Sequence, residues 1–451
     1  MTNAQTHSGS KTVMIDGFNL SLEKGTGVST YARNLSYELH AIGYEVDVLY
    51  GVRGCDGKND LLKEIGFFDP QPARTQVGRF VATLEKFGNA LLPGWSRQLP
   101  NSGAVITRAF ESKMPYFDRL WNSSDIFASA DVHFTLTDRL KTIRSTAPAD
   151  LAHWTYPLPL KLAGAPNVYT IHDLVPLRLP YTTLDRKRYY LRLMKRIVRE
   201  ADGIITVSEN SRKDIISLLG CPEEKVINTY QSVNIPKKLR EKSDADVRGE
   251  IEGVFDLPYM NYFLFFGSIE PKKNIGRLIE AYLASEIEAP LVIVGAQAWK
   301  SEQELRLMNP SSNAYLEQIG NITKSRERIR RFDYATFPLL VSLIRGAKCV
   351  LFPSLYEGFG LPILESMQLG TPVVTSSEGS VPEVAGDAAC LVDPYDPRAI
   401  CAAIRALDGN AQLRQSLCQK GRKQVEKFTP EAHQERLRAA YSKFIGKSGR
   451  L

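Results

Sequence analysis

Two glutamates, Glu357 and Glu365, are separated by seven residues in the run SLYEGFGLPILESMQLGTPVV (354–374). Glu357 closes an apolar run that reads as a strand and falls in a Gly-rich turn. Pro362 lies where a helix would begin, and Glu365 belongs to that helix's first turns. A Gly-rich strand-to-helix junction leaves backbone N–H groups unpaired and pointing outwards, and the helix dipole adds positive potential, so the junction suits phosphate or sugar hydroxyls. Carboxylates bracketing it can accept hydrogen bonds from vicinal diols, such as those of a hexose and a ribose. Either Glu taken singly reads more simply as a turn cap or a surface helix residue. His172, in TIHDL, ends a strand at the C-terminal edge of the first sheet, where open α/β sheets bind ligands. His153, in HWTYPLP (153–159), is a further candidate to line such a cleft, whereas Ser208 in TVSENS reads as a helix cap.

The elements that must position these groups alternate in type. Val13–Ile15 and the runs NVYTIHDL, ADGIITVSENS, NYFLFFGSIE, APLVIVGA and CVLFPSLY each read as a strand followed by a helical pattern. That alternation predicts parallel sheets covered by helices. The strands fall into two sets, with a charged stretch of low apolar content between Ile235 and Leu257 as the boundary. Residues 66–150, interrupted by Pro93 and Pro100, predict helices and loops of no definite register. Thr429-Pro430-Glu431 starts a last helix with an apolar face at Leu437, Ala440, Tyr441 and Phe444.

Composition narrows the class. The 451 residues are 43% hydrophobic and 24% charged, as in an ordinary globular chain. With 57 Lys plus Arg against 50 Asp plus Glu, the net charge of +7 names no partner by itself. Six scattered cysteines form no CxxC pair, so neither a zinc site nor a disulfide framework is indicated. The polar start MTNAQTHSGSKT has no apolar signal core, and no apolar run approaches bilayer-spanning length, which predicts a cytoplasmic chain.

The spacing Glu357-x7-Glu365, set in EGFGLPILES and followed by GTPVV and SVPEVAGDAACLVDPYDP, resembles the EX7E signature of the retaining enzymes of glycosyltransferase family 4. The resemblance extends through GTGVSTYARNL (25–35), APNVYTIHDLVPLRLP (165–180), ADGIITVSENSRKDI (201–215) and FFGSIEPKKNIGRLIEAY (265–282), in the family's order. Residues 50–150 match poorly. The resemblance implies an α/β chain of the GT-B fold, two Rossmann-like domains facing each other across a cleft. Its parts would be a disordered tail (1–10), an acceptor-binding domain (11–235), a linker (236–257), a nucleotide-sugar-binding domain (258–428) and a C-terminal helix (429–451) packing back on the N-terminal domain.

Roles follow from the same resemblance. Glu357 would contact the donor hexose, the backbone from Gly358 through Phe359 and Gly360 to Leu361 would hold sugar and phosphates, and Glu365 would bind the ribose, both carboxylates ionised. Lys273 matches the family's diphosphate-binding lysine, where a cation would offset charge developing on the leaving group. Many relatives carry Arg where this chain has Ser268, and Lys272 is the candidate for the second charge. Gly25-Thr26-Gly27 would close over the phosphates, since glycine lets backbone amides approach an anion. His172 matches the active-site histidine beside the transferred sugar, and Asp173 would orient the loop or hold the acceptor.

The resemblance also implies metal-independent transfer. Transferases of the other common fold hold a divalent ion on a DxD pair, and the only such match here is Asp244-Ala245-Asp246, in the charged boundary stretch. The expected reaction moves a hexose with retention, by front-face attack, from a GDP-sugar to a saccharide or polyprenyl-diphosphate-linked acceptor in cell-surface polysaccharide synthesis. Mannose leads as the hexose, and a UDP-sugar is the alternative donor. Two other classes stay open: a nucleotide-sugar epimerase or hydrolase, and a polyanion-binding module, although no nucleic-acid motif accompanies it.

The module reading draws on Arg178–Arg199, which holds eight basic side chains against the single acid Asp185. Tyr190, Leu193, Met194, Ile197 and Ala201 recur at helical spacing as an apolar stripe, leaving Arg188, Arg192 and Lys195 elsewhere on the helix. That basic face is either solvated or meets anionic lipid headgroups, or a diphosphate-linked acceptor, at the cytoplasmic membrane face.

Overall fold

The computed structural model describes residues 10–21, 27–53, 59–68, 90–100, 104–105, 114–308, 314–319 and 322–445. All but Ser10 of the expected tail, together with Gly25 and Thr26 of the first Gly-rich loop, lies outside them.

Ten strands build the N-terminal sheet: β1 (Thr12–Asp16), β2 (Glu45–Tyr50), β3 (Gly94–Gln98), β4 (Arg119–Asn122), β5 (Lys141–Ser145), β6 (Leu151–Trp154), β7 (Leu160–Leu162), β8 (Asn167–Thr170), β9 (Gly203–Thr206) and β10 (Val226–Asn228). Their spatial order is β10-β9-β8-β6-β1-β2-β4-β3-β5-β7. Every pairing from β10 to β4 is parallel, and β3, β5 and β7 run the other way. Helices α1 (Gly27–Ala41), α2 (Lys187–Glu200) and α3 (Glu209–Leu219) connect and cover strands of this sheet.

Strands β3, β4 and β5 correct the expectation of helices and loops over 66–150. They are only four or five residues long, and β3 (GWSRQ) buries a single side chain, Ser96, so no apolar period marks it in the sequence. Where strands are covered on both faces, as in GIIT, FLFF, LVIV and CVLF, every residue is buried and the run is uninterrupted.

The C-terminal sheet has six parallel strands, β11 (Phe263–Phe266), β12 (Leu291–Val294), β15 (Ile329–Phe332), β16 (Cys349–Phe352), β17 (Val373–Ser376) and β18 (Cys390–Val392), in the order β15-β12-β11-β16-β17-β18. Strands β13 (Ala314–Ile319) and β14 (Ile322–Glu327) form a separate antiparallel hairpin. The charged boundary stretch is packed as well as solvated. It contains α4 (Asp244–Phe255), whose Val247, Ile251 and Phe255, four positions apart, form a stripe buried in the core, and which packs on α5 (Phe337–Arg345). Asp244 and Asp246 sit in its first turn, one paired with Arg345 at 2.8 Å and the other receiving a hydrogen bond from the N-cap Ser243.

Helices α6 (Leu361–Gln368) and α7 (Val381–Ala385) flank the Gly-rich turn after β16. The last helix, α8 (Pro430–Ile445), lies against the N-terminal sheet. Leu437, Ala440, Tyr441 and Phe444 are all buried, Lys443 donates to the Glu224 carbonyl at 2.9 Å, and Phe444 fills the space over Gly203. None of the described helices is long and apolar enough to cross a membrane.

Candidate active site

The turn between β16 and α6 is shaped by its glycines. Gly360 precedes α6 at φ 108°, a conformation that L side chains rarely adopt. Ser380 braces the turn from the side, its hydroxyl donating to the carbonyls of Glu357 at 2.8 Å and Phe359 at 3.0 Å. Glu357 is thereby held 6% exposed, with Oε1 2.6 Å from Lys273 Nζ. Lys273 ends the short turn Pro271–Lys273 and also lies 4.8 Å over the ring of Phe352.

Glu270 and Lys272 complete a compact charge cluster. Lys272 Nζ is 3.7 Å from Glu270 Oε1, which accepts from the Ser268 hydroxyl at 3.2 Å. Burial would raise the Glu357 carboxyl, but Lys273 and Lys272 outweigh it and hold Glu357 below the usual carboxylate range. Burial would likewise lower the Lys272 ammonium, yet the carboxylates of Glu357, Asp173 and Glu270 push it above the usual lysine range. Glu365 behaves otherwise. Half-buried in α6, it is pushed up by desolvation alone to about 7. The two glutamates expected to be ionised together therefore separate, because only Glu357 has cations beside it.

His172 and Asp173 follow β8, directly across from this turn. His172 Nε2 lies 3.0 Å from the Thr155 carbonyl. A carbonyl can only accept, so Nε2 carries the proton and Nδ1 the lone pair. Burial lowers the His172 pKa against the opposing pull of that hydrogen bond and of Asp173, which keeps the ring neutral. Thr155 in turn donates its N–H and its hydroxyl to Asp16 Oδ2, and burial pushes the Asp16 carboxyl up to about 6. The ring of Tyr31, on α1, meets His172 edge-on at 4.8 Å.

The halves touch at Gly358. A Cβ there would fall 2.7 Å from the His172 carbonyl oxygen and 2.9 Å from the Asp173 side chain, so only glycine lets the turn approach the histidine loop. Ser211 donates to the His172 carbonyl at 2.9 Å and reaches the Gly358 carbonyl at 3.4 Å. Beside this point Val175 and Leu179 bury against Leu355 and Tyr356, while the Tyr356 hydroxyl donates to Asp214, itself paired with Arg178. Glu383 on α7 accepts from the backbone N–H groups of Glu209 and Asn210, 3.0 Å each, and so caps α3 across the interface.

The structure thus gathers Lys272, Lys273, Glu357, Gly358, His172 and Asp173 into one place, with Ser268, Phe359, Gly360, Leu361 and Glu365 on the adjoining elements. Gly27, the described residue of the first Gly-rich loop, starts α1 and is exposed. Arg188, Arg192 and Lys195 point to solvent from α2, Arg192 with Asp138 at 3.6 Å. The same helix reaches the site through Tyr190, whose hydroxyl donates to the Asp173 carbonyl at 3.1 Å. His153 does not line the cleft. It is fully buried beneath α8. Tyr31, Tyr356, Ser380 and Glu383 lie inside the quoted runs GTGVSTYARNL, SLYEGFGLP and SVPEVAGDAAC, but no role was read for them, and Asp16 was marked only by its place at the end of a strand.

Two Rossmann-like halves meeting over paired lysines and carboxylates define a GT-B glycosyltransferase. Residues 25–235 match the model described as Glycosyltransferase Family 4, and residues 258–424 match Glycosyl transferases group 1. The chain is 33% identical over 284 residues to O-antigen chain mannosyltransferase B of Escherichia coli, an alignment covering 61% of this chain and 69% of that protein. It is also 24% identical to the MMP alpha-(1->4)-mannosyltransferase of Mycolicibacterium hassiacum, over 93% of this chain and 95% of that one. The chain is 28% identical to the E. coli serotype-specific mannosyltransferase WbdA over 54% of its own length, but the match spans only 29% of that longer protein. Among solved structures, sucrose-phosphate synthase of Thermosynechococcus elongatus superposes with a TM-score of 0.64 at 17% identity, over 97% of this chain and 100% of that one, a likeness of fold. The chain belongs to glycosyltransferase family 4 and is a glycosyltransferase.

Proposed function

We propose that the protein transfers mannose, or a related hexose, from a GDP-sugar to a saccharide or polyprenyl-diphosphate-linked acceptor, with retention and without a metal. The observation that carries this reading is the 2.6 Å contact of Lys273 with Glu357 at the point where Gly358 meets His172. A cation suited to a diphosphate and a carboxylate suited to sugar hydroxyls touch where the bond between phosphate and sugar would lie. Lys273, Lys272 and the backbone amides before α6 would stabilise the leaving diphosphate. Glu357 is engaged by Lys273, and Asp173 Oδ1 accepts from the Val175 N–H at 3.1 Å. Neither carboxylate is assigned to a nucleophile's position in the matched motifs, which favours front-face attack, the departing diphosphate taking the acceptor's proton.

The mannosyl and O-antigen assignment draws on the relatives' names, and a UDP-sugar remains the second reading. A thermal-shift screen against GDP, UDP, ADP and their sugars separates them: the largest stabilisation is expected from GDP-mannose, and a UDP-sugar giving it instead would replace the donor. Product analysis by mass spectrometry should show sugar joined to an acceptor; free sugar alone would point to a hydrolase. EDTA should leave turnover intact, and a strict magnesium or manganese requirement would overturn the metal-independent reading. The exposed Arg188, Arg192 and Lys195 would bring the enzyme to anionic lipid. Reversing their charge should weaken binding to phosphatidylglycerol liposomes, and unchanged binding would leave α2 a solvated face.

A further inference from the structure

We infer that Tyr441, on the C-terminal helix α8, is a positioning residue for His172 and acts on it through a buried, uncharged hydrogen-bond chain. The inference rests on the reading of His172 as an active-site group. The Tyr441 hydroxyl meets His153 Nδ1, His153 Nε2 lies 2.7 Å from Thr170 Oγ1, and Thr170 Oγ1 lies 2.9 Å from the Tyr31 hydroxyl. Tyr31 then presents its ring to the His172 imidazole at 88°, centroids 4.8 Å apart. Tyr441, His153 and Thr170 are fully buried and Tyr31 nearly so.

The chain transmits orientation because none of its members can change charge near neutral pH. Burial, reinforced by neighbouring His172 and His433, pushes His153 down to about 3, so its ring is neutral. Burial holds the Tyr31 and Tyr441 phenols above their usual range. A neutral imidazole donates from one nitrogen and accepts at the other, so the partner at Nδ1 decides what Nε2 offers Thr170. Removing the Tyr441 hydroxyl frees that choice. Thr170 can then turn, and the phenol that fixes the ring of Tyr31 loses its partner. His172 has two supports, the Thr155 carbonyl and this ring, and loosening one leaves the imidazole free to tilt. A helix that enters from the C-terminal half thereby sets a side chain of the N-terminal half.

The test uses the full chain labelled with 15N-histidine, the His172 ring resonances being identified by their loss in His172→Asn. Tyr441→Phe should shift both ring nitrogens of His172, Tyr31→Phe should do the same, and the double variant should shift them no further than Tyr31→Phe alone. With the nucleoside diphosphate sugar selected by the thermal-shift screen, Tyr441→Phe should lower kcat about tenfold with donor KM unchanged, as expected for a misoriented group rather than a lost binding contact. His172 resonances that stay fixed in a folded Tyr441→Phe protein, or shifts that add in the double variant, would overturn the inference. Should Tyr441→Phe fail to fold, Thr170→Val breaks the same chain without touching α8 and is read on the same resonances. Wild-type turnover in His172→Ala would remove the catalytic reading but leave the coupling of the resonances intact, so the two failures are told apart.

Discussion

In the C-terminal half of the site ion pairs hold the parts together, whereas in the N-terminal half the ring of His172 rests on a carbonyl and an aromatic edge. Lys272, Lys273, Glu270 and Glu357 compensate one another at contact distances of 2.6 and 3.7 Å, and all four come from two short runs. His172 is instead held by a carbonyl, an aromatic edge and, behind them, side chains from positions as far apart as Asp16 and Tyr441. A buried charge needs its counter-charge within a few ångströms, so it tends to be supplied locally. A neutral ring needs only shape and one well-placed partner, which any part of the fold can bring.

The largest effect should come from breaking the charged half. Lys273→Ala removes the cation nearest the proposed leaving group and strands Glu357 with Lys272 alone; turnover should fall by about 10³. Loss of less than tenfold in kcat would take the lysine out of the mechanism. The same truncation in the N-terminal half, His172→Ala, should lower turnover by about 10² with little change in donor affinity, because no charge is lost from the diphosphate region. If His172→Ala instead weakened donor binding as much as Lys273→Ala, the division between the halves would not hold.

A smaller effect should follow from holding the halves apart. The added methyl of Gly358→Ala meets a carbonyl oxygen at 2.7 Å and the Asp173 side chain at 2.9 Å, neither able to yield without moving the His172 loop. Turnover should fall about tenfold while the full chain keeps its nucleotide affinity. Isothermal titration with GDP reads the second quantity, and a parallel loss there would place the damage in the donor turn rather than at the contact.

The same division explains what could be read from sequence. The EGFGLP run, SIEPKKN and TIHDL concentrate their chemistry in a few adjacent residues that the family resemblance could mark, and strand runs such as FLFF are covered on both faces, so their uninterrupted apolar pattern located the sheets. Tyr31, His153, Thr170 and Tyr441 are spread from the first helix to the last, and nothing in their local sequence connects them until the sheet and α8 bring them together. The strands of residues 94–145 were hidden for a different reason: four or five residues with one to three buried side chains carry too little period to register. Ionisation was the other blind spot, since the spacing of Glu357 and Glu365 is silent about which one has a cation nearby.

That last contrast gives the smallest effect. Glu365 has an ordinary pKa of 4.5 and is pushed to about 7 by burial, with nothing charged to oppose it. A carboxyl raised in the folded state favours folding most below pH 4.5, where both states are protonated, and this contribution is lost as pH rises through 7 and the buried group is forced to ionise. Glu365→Gln should therefore leave the melting temperature of the free enzyme nearly unchanged at pH 5 but raise it by about 2 °C at pH 8. Bound nucleotide should reverse the comparison. If Glu365 accepts from a ribose hydroxyl, ionisation becomes favourable and the wild-type protein should gain more from GDP at pH 8 than at pH 5, whereas Glu365→Gln should gain equally at both. Glu357 predicts the opposite behaviour: already ionised between its lysines, it should give Glu357→Gln a donor-binding deficit that does not change across this range. Melting curves with and without GDP at the two pH values measure the Glu365 combinations, the same curves with GDP-mannose read the Glu357→Gln deficit, and a pH-independent Glu365→Gln difference would mean that the α6 carboxylate is solvated and ionised like any surface glutamate.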